Sequence, residues 1–446
     1  TTQARGIKTI DGRSGVVSTE RADTTETFLD VSAQAIPGAT RLVVALEPGI
    51  DAAILDALLY LDLFPYACVE QTVHRFVPAI WARRALTAIG SPDAARLAQL
   101  DDAIRRGYAR LVNLAHPNGT YGWFRGGSGD PAMTAFALLG LSEAAALDVP
   151  GARNAAIRTA AALRGITKAA PDDVQALCHW ALASVGSVDE AAYQITFRRR
   201  SEELSVPGLA WLALAANRMG RAFDAEDLAR LLVTRRVEDG GSTRWTGRKD
   251  DCLLPSDRLA TALAVRALLE VGASTEQVER GMDWLLSNRV DGGFGTTTET
   301  AAFVGAASAY AAKNRPARFG GTIRVLVDGT AVRTVKVVPG TGLEAGDRRF
   351  AIDAAGAWKP GRHTLAFRLE GEGRVRWAAR LETVEAADVL AADEHGLKVE
   401  RLYLDAATPV VEGAEMPVKP GYEILRPSAR PRVEAKSREA AATGER

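Results

Sequence analysis

The sequence predicts a multidomain α + β protein in which a long helical block is set between two β-rich stretches. Residues 50–314 read as about twelve apolar-periodic runs, punctuated by Gly and Pro. Short β-type runs bracket that block on both sides. A motif also recurs within the block: Met133-Thr134-Ala135-Phe136-Ala137-Leu138-Leu139 matches Ala260-Thr261-Ala262-Leu263-Ala264-Val265 and Glu299-Thr300-Ala301-Ala302-Phe303. For 446 residues, a typical domain length of ~150 suggests about three domains.

Taken in order, residues 1–47 carry strand runs at 27–31 and 42–46, with Ile36-Pro37-Gly38 as a turn and Pro48-Gly49 closing the region. The helical runs follow at 50–61, 69–89, 93–114, 131–147, 151–164, 171–186, 188–203, 206–220, 223–235, 257–272, 275–288 and 299–313. Three copies of the repeat follow a glycine-aromatic loop: Gly122-Trp123-Phe124, Gly241 to Trp245, and Gly292-Gly293-Phe294-Gly295. Alternate helices begin with small residues and then turn wholly apolar, which means burial on both sides. Paired helices with buried alternates describe an inner ring within an outer ring. Beyond residue 316, strand alternation returns. Runs at 322–327 and 331–337 flank Asp328-Gly329-Thr330, a hairpin signal, and runs at 363–369 and 374–381 flank residues 370–373, read as a second hairpin. Residues 427–446 are charged and Pro/Ala-rich, a composition expected to be disordered.

Fifty-five basic residues balance fifty-five acidic ones, so nothing asks for nucleic acid or an anionic membrane. No apolar run approaches the ~20 residues of a membrane span. The chain starts at Thr1 without an initiator Met or a signal peptide, as an excised or processed piece would. Cys68, Cys178 and Cys252 give no disulfide framework.

The chemistry concentrates in Phe64-Pro65-Tyr66-Ala67-Cys68-Val69-Glu70-Gln71-Thr72. Pro65 breaks any helix arriving from 55–63, and a new periodic run starts near Cys68. Cys68 and Gln71 then share one face of a first helical turn. There the sulfur can attack the side-chain amide, expel ammonia and close an internal thioester. Because a thiolate leaves easily, such a bond stores an acyl group for an incoming amine or hydroxyl. Cys68 and Gln71 alone also fit a small buried cysteine beside a helix start.

The longer stretch resembles the Cys-x-Glu-Gln thioester motif of the alpha-2-macroglobulin and complement family. It is most similar to the bacterial alpha-2-macroglobulins, whose pattern is Tyr-Pro-Tyr-Gly-Cys-x-Glu-Gln. The resemblance implies an α6/α6 toroid as thioester domain (48–315), inserted in a CUB-like β-sandwich whose halves are 1–47 and 316–392. It also implies a partial receptor-binding-type β segment at 393–426, starting with the strand-like Val399-Glu400-Arg401-Leu402-Tyr403, before the tail at 427–446. Cys68 and Gln71 would form the thioester bond, with Glu70 as the third motif residue. Phe64 and Tyr66 would shield the bond from water, Phe64 replacing the usual Tyr and losing its hydroxyl. The loop with Trp123 and Phe124 would lie nearby. It contains no His, unlike its counterpart in complement proteins that esterify quickly, so direct attack by protein lysines is expected.

The resemblance therefore implies a broad-spectrum protease trap, not a turnover enzyme. It would work extracytoplasmically in the periplasm or cell envelope, without cofactor or metal. Its partners would be the captured protease and preceding macroglobulin and bait domains, of the same or another chain. Two other readings stay open: a binding module of the same fold in which the thioester never forms, and an α/α-toroid lyase or cyclase resting on Asp250-Asp251. Among other residues, a first-turn Glu70 is explained by the helix dipole. His74 is expected on a solvated helix face, His116 at a helix C-terminus and His179 in the core.

Overall fold

The computed structural model describes residues 6–386 apart from 20–22, 37, 48–49, 63–67, 89–93, 200–203, 240–241, 248–255, 290–292, 314–319, 338–346, 348 and 353–357. Phe64, Tyr66, Asp250-Asp251, Cys252 and the segments 393–426 and 427–446 lie outside the described residues.

Among the described residues, twelve α-helices occupy the middle of the chain: α1 Ile50–Asp62, α2 Val69–Ala88, α3 Ala94–Leu114, α4 Pro131–Ala145, α5 Ala152–Ile166, α6 Asp172–Ala183, α7 Glu190–Arg199, α8 Val206–Arg218, α9 Ala222–Thr234, α10 Asp257–Val271, α11 Thr275–Ser287 and α12 Thr297–Lys313. Each coincides within a few residues with one periodic run. The even-numbered helices pack in a closed circuit, α2 on α4, α4 on α6, α6 on α8, α8 on α10, α10 on α12, and α12 back on α2. The odd-numbered helices lie against them: α3 on α2, α5 on α4, α7 on α6, α9 on α8, α11 on α10, and α1 on α12 and α2. Composition decides which helix goes where. In α4, α8 and α10 nearly every residue is buried, whereas α3 buries only Leu100, Ile104 and Leu111. Close approach is built from glycine: a Cβ on Gly107 of α3 or Gly140 of α4 would fall 2.2 or 2.8 Å from the buried Phe76 side chain of α2.

The sequence repeat is a hydrogen-bonded clasp. Thr134 Oγ1 accepts from the backbone N–H of Tyr121 at 3.0 Å, Thr261 from Trp245 at 2.9 Å, and Thr300 from Phe294 at 3.1 Å. In each case a threonine in the first turns of a helix fixes a buried aromatic in the segment before it. The repeated aromatic in the first loop is thus Tyr121, not Trp123 or Phe124, which are 49% and 65% exposed. The expected register was off by two residues because a Trp-Phe pair outweighs a lone Tyr in hydrophobicity.

The β-strands come from both ends of the described chain. They are β1 Gly6–Ser18, β2 Thr24–Val31, β3 Arg41–Glu47, β6 Gly320–Val327, β7 Thr330–Val337, β8 Arg349–Ile352, β9 Gly361–Glu372 and β10 Arg374–Ala386, with β4 Arg236–Asp239 and β5 Ser242–Trp245 as a separate hairpin before α10. One antiparallel sheet has the order β1-β10-β3-β8 and the other β2-β9-β6-β7. Strands before and after the helices therefore alternate in the first sheet, and in the second β2 pairs with β9, so each sheet draws on both ends. Between the sheets lies an apolar core that includes Leu29, Val44, Ile323, Phe367 and Trp377, the last two stacked at 4.2 Å. The β6–β7 hairpin forms as expected, turning through Asp328 (φ 49°) and Gly329 (φ 77°). The second hairpin does not. β9 and β10 belong to different sheets, and the chain passes between them at Gly371 (φ 143°) and Gly373 (φ 109°), conformations that favour glycine.

The helical block meets the sandwich through α11, which packs on β1 and β10. The buried Arg376 of β10 pairs with Asp283 of α11, and Arg374 reaches Glu279 Oε2 at 2.7 Å and Tyr310 Oη at 2.7 Å.

Candidate functional site

Cys68 immediately precedes α2. Its carbonyl accepts from Thr72 N–H at 2.9 Å, closing the first turn, and its sulfur accepts the backbone N–H of Gln71 at 3.5 Å. The sulfur therefore occupies the place of an N-cap oxygen. Gln71 follows on the same turn, and its side-chain carbonyl oxygen is buried without a hydrogen-bond partner among the described residues. The two groups that sequence spacing pairs are thus both at the mouth of α2. Burial pushes the Cys68 thiol above its ordinary range; the Gln71 N–H pulls it down, and the Glu70 carboxylate pushes it up again.

Glu70 is buried and forms the hub of the site. Its Oε1 accepts from Thr297 Oγ1 at 2.6 Å and Thr298 Oγ1 at 2.7 Å, and lies 2.7 Å from His74 Nδ1. Its Oε2 lies 3.9 Å from the Cys68 sulfur. Burial alone would raise this carboxyl. The hydrogen bond and charge of His74, then the two threonine hydroxyls, outweigh burial and hold it at about 2. At neutral pH Glu70 is therefore a fixed anion and a poor proton acceptor. His74 also meets Phe136 edge-on at 4.7 Å. It is buried, contrary to the solvated placement expected, because α12 closes the circuit over that face of α2. Thr297 and Thr298 are site residues that sequence reasoning missed, and His74, one turn after Gln71, is one for which it favours a solvated face over contact with the site. The available hints were the i, i+4 spacing of Glu70 and His74 and the paired threonines at a helix start.

The loop at 121–130 touches the site through its backbone. Trp123 C=O accepts the N–H of Val69 at 3.0 Å, satisfying a donor that the start of α2 would otherwise leave free. The loop is closed by Asp130 N–H to Tyr121 C=O at 2.8 Å, by the Asp130 carboxylate capping α4 at Met133 N–H (2.9 Å), and by the Thr134 clasp. Gly122 permits this closure, since a Cβ there would sit 2.4 Å from Ser128 O. The Trp123 and Phe124 side chains are largely exposed.

The remaining candidates lie elsewhere. His116 Nδ1 is 3.2 Å from Thr120 Oγ1, just past the end of α3. His179 is buried in α6, 3.1 Å from Thr196 Oγ1, and burial lowers it to about 4. Cys178 is fully buried, its thiol pushed up to about 12 chiefly by burial. Among the described residues no group of three or more His, Cys, Asp or Glu could hold a metal ion, and no helix is long and apolar enough to cross a membrane.

Comparison with known proteins points to the same stretch. Residues 47–163 match the A-macroglobulin TED domain family. Over 113 residues the chain is 35% identical to the alpha-2-macroglobulin of Thermotoga maritima, a match covering 25% of this chain and 7% of that protein. It is 29% identical over 108 residues to thioester-containing protein 1 allele R1 of Anopheles gambiae, covering 24% and 8% respectively. The matched segments are thus under a tenth of these relatives' lengths. The fold is similar to native alpha-2-macroglobulin of Escherichia coli, in a structure spanning domain MG7 to the C-terminus (TM-score 0.54, 16% identity, 85% of this chain and 57% of that one). It is also similar to Salmonella alpha-2-macroglobulin reacted with methylamine (TM-score 0.54, 17% identity, 86% and 24%).

Proposed function

Since the chain belongs to the alpha-2-macroglobulin family, of which it carries the C-terminal portion with the thioester domain, we propose that it is a single-use covalent trap for proteases. The warhead is a thioester between Cys68 and Gln71. In its formation the sulfur bonds to the Gln71 side-chain carbonyl carbon, the carbon–nitrogen bond breaks, and ammonia leaves with the thiol proton. In its use, a lysine amine of the attacker bonds to that carbon, the carbon–sulfur bond breaks, and the thiol is released. Each molecule reacts once, so the protein is an inhibitor and not an enzyme. The observation that carries this reading is the mouth of α2, where a buried sulfur accepts the Gln71 N–H at 3.5 Å beside a buried, unpartnered Gln71 carbonyl oxygen.

On the same reading the closed circuit of even-numbered helices is an α6/α6 toroid spanning 48–315. The two sheets form a CUB-like sandwich from 1–47 and 316–392, with a partial receptor-binding-type segment at 393–426 and a tail at 427–446. Phe64 and Tyr66 shield the bond, and the 121–130 loop with Trp123 and Phe124 borders it. The partners are proteases and the macroglobulin and bait domains of the larger assembly, in an extracytoplasmic setting.

Intact mass before and after methylamine, with thiol titration, tests the proposal. The expected result is a mass one ammonia below the sequence value, regaining one methylamine as one thiol appears. An unmodified Gln71 with Cys68 free from the start would refute it and leave the thioester-less binding module.

A further inference from the structure

Glu70 and the three residues around it take no part in the bond changes by which the thioester forms or reacts. Three donors, from His74, Thr297 and Thr298, converge on one oxygen of Glu70 and leave the other facing the Cys68 sulfur at 3.9 Å. Two groups therefore act on that sulfur with opposite sign. The Gln71 N–H at the helix mouth favours negative charge there, and the carboxylate opposes it. Acyl transfer needs negative charge on the sulfur as the carbon–sulfur bond breaks and the electron pair leaves with it. A carboxylate held at contact distance in a buried site is felt at little dilution by water.

We propose that Glu70, clamped by His74, Thr297 and Thr298, is an electrostatic brake on departure of the Cys68 sulfur, slowing spontaneous attack on the acyl bond. Glu70 faces the reacting atom; the other three are positioning residues that act through it. The proposal rests on the thioester reading for its purpose, but the brake itself is measurable on the free thiol.

The test uses the full chain and two near-isosteric variants, Glu70→Gln and Thr298→Val. After methylamine has freed the Cys68 thiol, its iodoacetamide labelling is followed against pH by peptide mass. Release of the thiol by methylamine is timed separately. Removing the charge in E70Q is expected to lower the Cys68 labelling midpoint by about one pH unit and to speed methylamine release about tenfold. T298V keeps the charge and removes one donor that partly neutralises it, so its midpoint is expected at or above that of the unsubstituted protein. Loosening of the fold would instead expose the thiol and lower the midpoint in both variants. Equal lowering in both, or no shift in E70Q, would overturn the brake. Failure of the thioester itself would show as an unmodified Gln71 and would leave the labelling comparison intact.

Discussion

Cys68 and Cys178 are both buried thiols at helices of the inner circuit, yet their surroundings make them chemically unlike. Cys178 lies within α6 with no exposure, and its thiol faces the Pro131 carbonyl at 3.8 Å and the Thr167 side chain. Cys68 sits before the first turn of α2, with a backbone donor on one side and a carboxylate on the other. A helix interior offers a sulfur nothing but satisfied backbone, whereas a helix mouth offers free N–H groups and a neighbouring side-chain amide. Burial makes a cysteine inert, and its place along the helix decides whether it can do anything else.

Selective labelling is the severest trial of that contrast. In the native protein at pH 8–9, once methylamine has freed its thiol, Cys68 is expected to react with iodoacetamide at least about a hundredfold faster than Cys178, since a thiol raised to about 12 stays protonated there. Comparable rates would erase the distinction. A smaller effect should come from the threonine clasps. Thr134→Val and Thr261→Val each strand a buried backbone N–H and should cost about 1–3 kcal/mol in denaturant unfolding. T134V alone should also speed Cys68 labelling, because only its loop caps Val69 through Trp123. Equal labelling in the two variants would detach the loop from the site.

Acid stability offers a third trial. The Glu70 carboxyl is depressed from 4.5 to about 2 in the folded state, so the stability it contributes is present above about pH 4.5 and is lost as pH falls toward 2. The loss should be at most about 3 kcal/mol, and E70Q should flatten that limb of the stability–pH curve. An unchanged slope in E70Q would mean that the clamp does not hold the anion.

How far this was legible in the sequence depended on the range of the interaction. The helices were readable because each is specified by its own apolar spacing and punctuation. The Thr134, Thr261 and Thr300 repeat was readable because the clasp it encodes spans only a few to sixteen residues. The Cys68–Gln71 pair was local too. The first strand, β1, went unread because its thirteen residues include Gly6, Gly12 and Gly15 and little apolar alternation; Gly15 is required where the Trp377 ring lies against it. The β9–β10 crossing was misread because hairpin and sheet-switching connections share glycine and charge. His74 was misplaced because its neighbours are supplied by α12, from the other end of the helical block.

That long reach has a consequence for how the protein comes into being. Glu70 and Thr297 are 227 residues apart in the chain. At ribosomal speeds of about 5–20 residues per second, the cysteine and glutamine are made some 10–50 seconds before the threonines that complete their surroundings. Closing so long a loop is slow by nature. The site is therefore finished well after its cysteine and glutamine are made, and α12 works as the seal that closes the helical block.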